Sequence, residues 1–160
     1  MHRCIFKIIA LVILYLFLNN SFVFAQSIKI DANKIQYKPE VSFSPRSASF
    51  TQGSTFEIPI LLNTKGKSIN GVEVRITYDK DRLSIVKPSS GTSIVGVWVE
   101  PPKYDNGNGT ASYVGVIPAG IVTDSGLIGS ITFKALKTGK ANISINSTSN
   151  LLLNDGLGTQ

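Results

Sequence analysis

Residues 72–78 alternate apolar and polar side chains without a break, a period that only an extended strand with one buried face satisfies. Successive side chains of a strand point to opposite faces of its sheet. The apolar set is therefore predicted to face a core, and the polar set between them to face solvent. The apolar positions are Val72, Val74, Ile76 and Tyr78, and the polar positions are Glu73, Arg75 and Thr77.

The same period recurs along the chain, and no window of helical length has a 3.6-residue period. Short alternating segments separated by turn residues are typical of an all-β protein. One flat sheet of eight or nine such strands would expose a large apolar face, whereas two stacked antiparallel sheets bury both inner faces. We therefore predict an all-β fold, a two-sheet antiparallel β-sandwich with jelly-roll topology and about nine strands. The candidate strands are residues 41–43, 48–50, 55–62, 72–78, 83–86, 94–99, 111–117, 129–136, 141–145 and 151–153.

Three local features refine this arrangement. Pro59 has outward parity in its strand and cannot donate a ladder hydrogen bond, which predicts a strand at or near a sheet edge. Residues 101–110 contain two prolines and two Asn-Gly pairs and are predicted to form a turn-rich loop. Residues 137–140 read Lys-Thr-Gly-Lys and are predicted to join the strands on either side as a hairpin.

The N-terminal segment has the three parts of a secretory signal peptide. Arg3 and Lys7 supply the positive start, residues 8–18 are an unbroken apolar run, and Val23-Phe24-Ala25 provides a cleavage site. The apolar run is shorter than the roughly 20 residues that cross a bilayer. We predict a signal peptide over residues 1–25, a flexible leader over 26–40 and a folded domain over 41–160. The mature protein is expected to be extracellular, either free or associated with the cell surface, with no membrane attachment after cleavage. An uncleaved N-terminal anchor is the alternative.

The residue types that remain after cleavage limit which disulfides, metal sites and catalytic sites the protein can form. His2 and Cys4 lie in the signal segment, so that the mature chain contains neither residue type. Disulfides, Cys/His zinc sites and nucleophiles activated by histidine are thereby excluded. The carboxylates show no pairing that a glycosidase would need, and the basic residues are scattered rather than gathered on one stripe. No enzyme, cofactor, metal or nucleic-acid partner is predicted.

Four segments of the chain, taken in order, carry a family resemblance: TQGSTFEIPILL (51–62), GVEVRITYDKDRLSIV (71–86), GLIGSITFKAL (126–136) and LLLNDGLGT (151–159). Together they resemble the cohesin domain, a bacterial module that holds enzymes in cellulosomes. The alternating strand ends in Tyr-Asp and is followed by a turn and Leu-x-Ile-Val, a pattern similar to the family signature. The other segments resemble the family's opening strand, its penultimate strand and a late turn.

The resemblance implies a nine-stranded jelly roll that binds a dockerin module of a partner protein through one flat sheet face. It also implies a role for Glu73, because cohesins carry an acidic contact residue five positions before the signature tyrosine. Arg75 and Thr77 have the same parity as Glu73 and are the other candidate contact residues. Gln160 follows the late turn closely, so the family's last strand is expected to be supplied differently or to lie outside this sequence. The expected function is non-catalytic scaffolding in extracellular polysaccharide breakdown or surface assembly.

A carbohydrate-binding module on the same fold is the alternative function. Exposed aromatic side chains stack on sugar rings, and Trp98 and Tyr104 are the candidate stacking residues. Val97 and Val99 have one parity and Trp98 the other. If the two valines belong to the core, Trp98 is expected to point outward, where a polysaccharide could reach it.

Overall fold

The computed structural model describes residues 37–160, and the predicted signal peptide lies outside these residues. Within this range no helix is long or apolar enough to serve as a membrane span. The described residues form strands and turns only. The eleven strands are β1 (Glu40–Phe43), β2 (Ser49–Phe50), β3 (Thr55–Asn63), β4 (Ile69–Tyr78), β5 (Leu83–Ser89), β6 (Val97–Asp105), β7 (Thr110–Ile121), β8 (Gly126–Ala135), β9 (Gly139–Lys140), β10 (Ile143–Ile145) and β11 (Asn150–Leu153).

The strands build two antiparallel sheets, which confirms the predicted β-sandwich. One sheet has the order β1-β3-β8-β5. The other has the order β10-β4-β7-β6, and β11 also pairs with β4. The two-residue strands β2 and β9 form a small separate ribbon.

The core lies between the two sheets and is made of every second side chain of the long strands. In β4 the apolar set is buried, and in β3 Ile58, Ile60 and Leu62 are buried. The Tyr113 side chain on β7 crosses the core, and its hydroxyl donates a 2.6 Å hydrogen bond to the Ser130 carbonyl on β8. Burial raises the pKa of Tyr113, so this donor keeps its proton. Gly129 leaves the space for the ring, because a Cβ there would lie 2.7 Å from Tyr113 Cε1.

The prediction for Pro59 is confirmed. β3 lies next to the edge strand β1, and the β1–β3 pairing runs from Glu40–Asn63 to Phe43–Ile60, so that it ends just before Pro59. The proline carbonyl still accepts a 3.2 Å hydrogen bond from the Ser44 N–H. Pro59, which has no N–H to donate, therefore lies just past the end of the β1–β3 pairing, where β1 needs no donor from it.

The predicted loop over residues 101–110 is wrong in its extent. β6 continues through Pro101 and Pro102 to Asp105, with one register shift between Trp98 and Glu100 and a second, spanning the proline pair, between Glu100 and Lys103. β6 is an edge strand, so a proline can occupy it without removing a hydrogen bond from a second neighbour. The reversal is confined to the four residues between Asp105 and Thr110.

The predicted hairpin at residues 137–140 is also wrong. β8 pairs with β3 and β5, whereas β10 pairs with β4 in the other sheet. Gly139 and Lys140 belong to β9 and pair with β2, so this segment carries the chain from one sheet to the other. A tetrapeptide of turn residues indicates that the chain changes direction, but it does not indicate whether the strands on either side pair with each other. Here those two strands, β8 and β10, belong to different sheets.

Candidate binding face

The outward side chains of β4 lie on the open face of the five-stranded sheet. In β4 buried and accessible positions alternate, and the predicted outward orientation of Glu73, Arg75 and Thr77 is confirmed. Across the ladder Glu73 is opposite Val114, Arg75 opposite Ser112, and Thr77 opposite Thr110, all on β7. We call this surface, formed by the outward residues of β4, β6 and β7, the sheet face.

Glu73 is held in its ionised form by its neighbours. Asn150 on β11 donates a 3.2 Å hydrogen bond to Glu73 Oε2, and the Arg75 guanidinium pairs with Oε1. The Asn150 hydrogen bond and, after it, the Arg75 hydrogen bond lower the pKa of Glu73. Because the carboxylate side chain is 30% exposed, it keeps access to solvent while its rotamer is constrained. The arrangement gives a charged acceptor in a fixed orientation.

The two other predicted residues are also tied to neighbouring segments. The Arg75 backbone N–H donates to Ser149 Oγ at 2.9 Å, and the Ser149 hydroxyl donates back to the Arg75 carbonyl at 3.2 Å. Thr77 Oγ1 and Ser144 Oγ on β10 lie 2.8 Å apart and share a hydrogen bond. The β4 residues of the face are consequently tied to strand β10 and to the turn between β10 and β11.

A shallow polar groove crosses one end of the sheet face. Tyr104 is 44% exposed at this groove, and Lys103 pairs with Glu100 at 2.9 Å. The groove brings Tyr104 together with two of the predicted contact residues from β4. Its polar lining comprises Arg75, Thr77, Lys103, Tyr104, Asp105, Thr110, Ser112 and Asn146.

The expected orientation of Trp98 is wrong. Val97 and Val99 are 55% and 63% exposed, whereas Trp98 is half-buried and packs against the core. Its indole meets the Tyr113 ring edge to face, with centroids 5.9 Å apart. The physical reason is Gly115, which lies opposite Trp98 on β7 and has no side chain to fill the space that the indole uses. The structure therefore does not bring Trp98 and Tyr104 together as an aromatic row.

An aliphatic patch at the other end of the sheet face went unnoticed in the sequence. Val97 on β6 is opposite Val116 on β7, and both side chains are exposed. Val114 is half-exposed beside them, opposite Glu73. Tyr113 is buried, so Val114 and Val116, which have the opposite parity, point outward. The sequence alone does not show that Tyr113 is a core residue, and the patch could not be predicted without it.

Comparison with known proteins identifies the family. The family model described as "Cohesin domain" matches residues 39–159. This chain belongs to the cohesin domain family. No functionally curated protein matches it significantly.

Solved cohesin structures share the fold at low sequence identity. The third cohesin of ScaC from Acetivibrio cellulolyticus, solved with the ScaB dockerin, is 24% identical over 64% of this chain and 77% of that one, with a TM-score of 0.52. A cohesin of OlpA from Clostridium thermocellum, solved with the dockerin Doc918, is 17% identical over 74% and 89%, with a TM-score of 0.59. A type II cohesin from the A. cellulolyticus cellulosome is 15% identical over 72% and 84%, with a TM-score of 0.57.

Proposed function

We propose that this cohesin domain is a secreted, non-catalytic module that binds a dockerin-type protein partner through the sheet face. Family membership supports protein binding, and two of the similar structures contain a bound dockerin. The observation that carries the proposal is the position of Glu73. It lies on a flat, hydrogen-bonded sheet face with a polar groove at one end and an aliphatic patch at the other.

The two ends of the face suit different parts of a partner surface. Exposed valines favour an aliphatic contact from which water is excluded, and such contacts form the centre of stable interfaces. The groove presents hydroxyls, an amide, the Asp105 carboxylate and the cations of two ion pairs, Arg75 and Lys103, which favour polar contacts at a rim. A partner helix with an aliphatic end and a polar end matches this distribution. We propose scaffolding in extracellular polysaccharide breakdown or surface assembly as the biological setting.

Charge reversal at Glu73 tests the proposal. The substitution Glu73→Arg replaces a hydrogen-bond acceptor with a cation beside Arg75. It also removes the hydrogen bond that Asn150 donates to the Glu73 carboxylate. We expect the affinity for a dockerin to fall by about tenfold or more, because truncating or reversing a charge at an interface centre costs on the order of 2 kcal/mol. Binding is measured by calorimetry on a dockerin panel that includes the ScaB dockerin and Doc918.

The control is Lys134→Glu, a charge reversal of the same size and opposite sign at an exposed position on β8 of the opposite sheet. It should leave dockerin affinity within about twofold, since it changes net charge without touching the sheet face. Equal loss in both variants, or full binding by Glu73→Arg, would refute the assignment of the face.

The polysaccharide-binding alternative now depends on Tyr104, because Trp98 packs against the core. Tyr104→Ala separates the two functions. Retention of the wild-type chain on cellulose or chitin, lost in Tyr104→Ala and kept in Glu73→Arg, would favour carbohydrate binding over a dockerin partner.

A further inference from the structure

The described residues contain three Asn-Gly pairs, a sequence in which asparagine can deamidate without an enzyme. The pairs are Asn70-Gly71, Asn106-Gly107 and Asn108-Gly109. In this reaction the backbone nitrogen after the asparagine attacks the side-chain carbonyl carbon, and a following glycine leaves that nitrogen unhindered because it has no Cβ. The attack needs a side chain that can turn toward the backbone and an N–H without a competing hydrogen bond. The folded structure decides which pairs meet these two conditions.

The pair Asn106-Gly107 meets neither condition. The Asn106 side chain accepts hydrogen bonds from the Tyr78 hydroxyl at 2.6 Å and the Ile85 N–H at 2.7 Å, and donates to the Ile85 carbonyl at 3.0 Å. The Gly107 N–H donates a 2.8 Å hydrogen bond to Asp105 Oδ1. Several hydrogen bonds therefore have to break together before this pair can react.

The pair Asn70-Gly71 is fixed by the five-stranded sheet. Both residues lie on β4, where Gly71 is opposite Val116 on β7 and Leu152 on β11. The Asn70 side chain also donates a 3.3 Å hydrogen bond to Asn154 Oδ1. A backbone with a ladder on each side cannot rotate toward a side chain without opening part of the sheet, so this pair is protected as well.

The pair Asn108-Gly109 differs from the other two. Asn108 is exposed in the turn between β6 and β7, and its Nδ2 donates a 2.6 Å hydrogen bond to Asp105 Oδ2. Gly109 is buried, and its carbonyl accepts a 2.9 Å hydrogen bond from the Tyr78 N–H. The Gly109 N–H has no hydrogen-bond acceptor among residues 37–160. An exposed side chain thus lies next to a backbone nitrogen that is held in place and is not engaged.

We propose that Asn108 is a self-modification site, which converts to a mixture of aspartate and isoaspartate. The Gly109 nitrogen gives its proton to water or hydroxide and forms a bond to Asn108 Cγ. The Cγ–Nδ2 bond breaks, and the side-chain nitrogen takes up a proton and leaves as ammonia. A water molecule then opens the succinimide ring, giving aspartate by attack at Cγ and isoaspartate by attack at the backbone carbonyl carbon. The net reaction consumes water and releases ammonia, without an oxidant or a reductant.

The product places a second carboxylate beside Asp105, at the end of the polar groove. Asp105 lines this groove, and Arg75 and Lys103 are the cations of the lining. The side-chain hydrogen bond from Asn108 is the main cause of the lowered pKa of Asp105. Conversion removes this donor and adds a like charge, so the pKa of Asp105 should rise. The groove becomes less favourable for acidic groups of any ligand, and the reaction itself does not depend on the dockerin proposal.

The test compares the folded full chain with the same chain in concentrated guanidinium chloride, both under mildly alkaline conditions. Tryptic peptides spanning residues 68–75 and 104–134 contain the three pairs, and fragment-ion spectra assign each mass increase of about 1 Da to one asparagine. In the folded chain we expect Asn108 to convert at least about tenfold faster than Asn70 and Asn106, because these two need local opening. In the denatured chain the three rates should agree within about threefold.

Two variants test the mechanism and its effect on the groove. Asn108→Gln keeps the amide but would have to close a less favourable six-membered ring, so conversion at this position should slow by at least about tenfold. Asn108→Asp introduces the charge of the product directly. An NMR titration should give a higher pKa for Asp105 in this variant than in the unmodified chain, and an unchanged pKa would contradict the effect on the groove.

Three results would overturn the proposal. The first is conversion of Asn70 or Asn106 as fast as that of Asn108 in the folded chain. The second is conversion of Asn108 to aspartate alone, because ring opening also yields isoaspartate, which isoaspartyl methyltransferase labels. The third is a folded chain in which Asn108 stays intact while the denatured chain converts.

Discussion

At the scale of single residues, Asn106 shows how much a turn residue can contribute to a sandwich. Its side chain accepts hydrogen bonds from the Tyr78 hydroxyl at 2.6 Å and the Ile85 N–H at 2.7 Å, and donates to the Ile85 carbonyl at 3.0 Å. Tyr78 is on β4 and Ile85 on β5, so one amide links the two sheets. Burial, followed by the nearby Asp105 charge, raises the pKa of Tyr78 and keeps its hydroxyl a donor.

Replacing this amide should destabilise the domain. We expect Asn106→Ala to lower the free energy of unfolding by about 2 kcal/mol, because it removes these hydrogen bonds and leaves the Ile85 backbone groups unsatisfied. Urea denaturation followed by tryptophan fluorescence measures the change. Asn108→Ala is the matched control in the same turn. Its side chain makes one exposed bond, to Asp105, and a loss below about 0.5 kcal/mol is expected.

Trp98 offers a second test at this scale, of packing rather than of polar contacts. Because the indole packs on Tyr113 and the core, Trp98→Ala should lower the free energy of unfolding by roughly 2–4 kcal/mol. Val99→Ala, one residue away at an exposed position, should change it by less than about 0.5 kcal/mol. Circular dichroism in urea provides both values. Similar stabilities of the two variants would contradict an inward Trp98.

At the level of the elements, the central strands β4 and β7 keep a regular period over most of their length, and the edge strand β6 does not. β4 and β7 are paired on both sides, and each alternates regularly over most of its length. β6 is paired on one side only, and its register shifts twice around Pro101 and Pro102. An edge strand tolerates such bulges because only one ladder has to be maintained. Parity counted from the sequence is consequently reliable in β4 and misleading in β6.

The contact between β6 and β7 depends on Gly115. A Cβ at this position would lie 2.4 Å from Val95 Cγ1 and 3.0 Å from the Val97 carbonyl oxygen, so β6 would have to move. We expect Gly115→Ala to lower the free energy of unfolding by about 1–3 kcal/mol. In Gly91→Ala the new methyl group meets only Ser89 Oγ, at 3.7 Å, and should have little effect. Thermal melts of both variants check the difference.

At the scale of the whole molecule, the described carboxylates with shifted pKa values are all held in the charged form. Hydrogen bonds from Lys65, Asn150, Asn108 and Thr159 are the main causes of the lowered pKa values of Glu40, Glu73, Asp105 and Asp155, respectively. The folded protein thus binds protons less readily at these groups than the unfolded chain does. Residues 37–160 contain no histidine that would add a transition near neutral pH.

This charge distribution sets the pH dependence of stability. The carboxylates contribute fully above their unfolded pKa values of about 4, and the contribution is lost as the pH falls toward the lower folded values. We expect the urea midpoint to be flat between about pH 5.5 and 8 and to fall below about pH 4.5. Denaturation curves across this range measure it. A midpoint that rises as the solution is acidified below pH 4.5 would contradict the direction of the shifts.

The alternating pattern of the sequence was enough to predict the sandwich, the core positions of β3 and β4, and the outward orientation of Glu73, Arg75 and Thr77. These features depend on a two-residue period that local sterics impose on any central strand. Three features could be read only from the folded protein: the direction of Trp98, the course of residues 101–105 and the separation of β8 from β10. Trp98 turns inward because Gly115 lies opposite it on β7, and residues 101–105 continue β6 because its outer edge has no neighbour among the described strands. β8 and β10 are separated because they pair in different sheets. The sequence of one strand contains no information about the side chains that its neighbour presents to it.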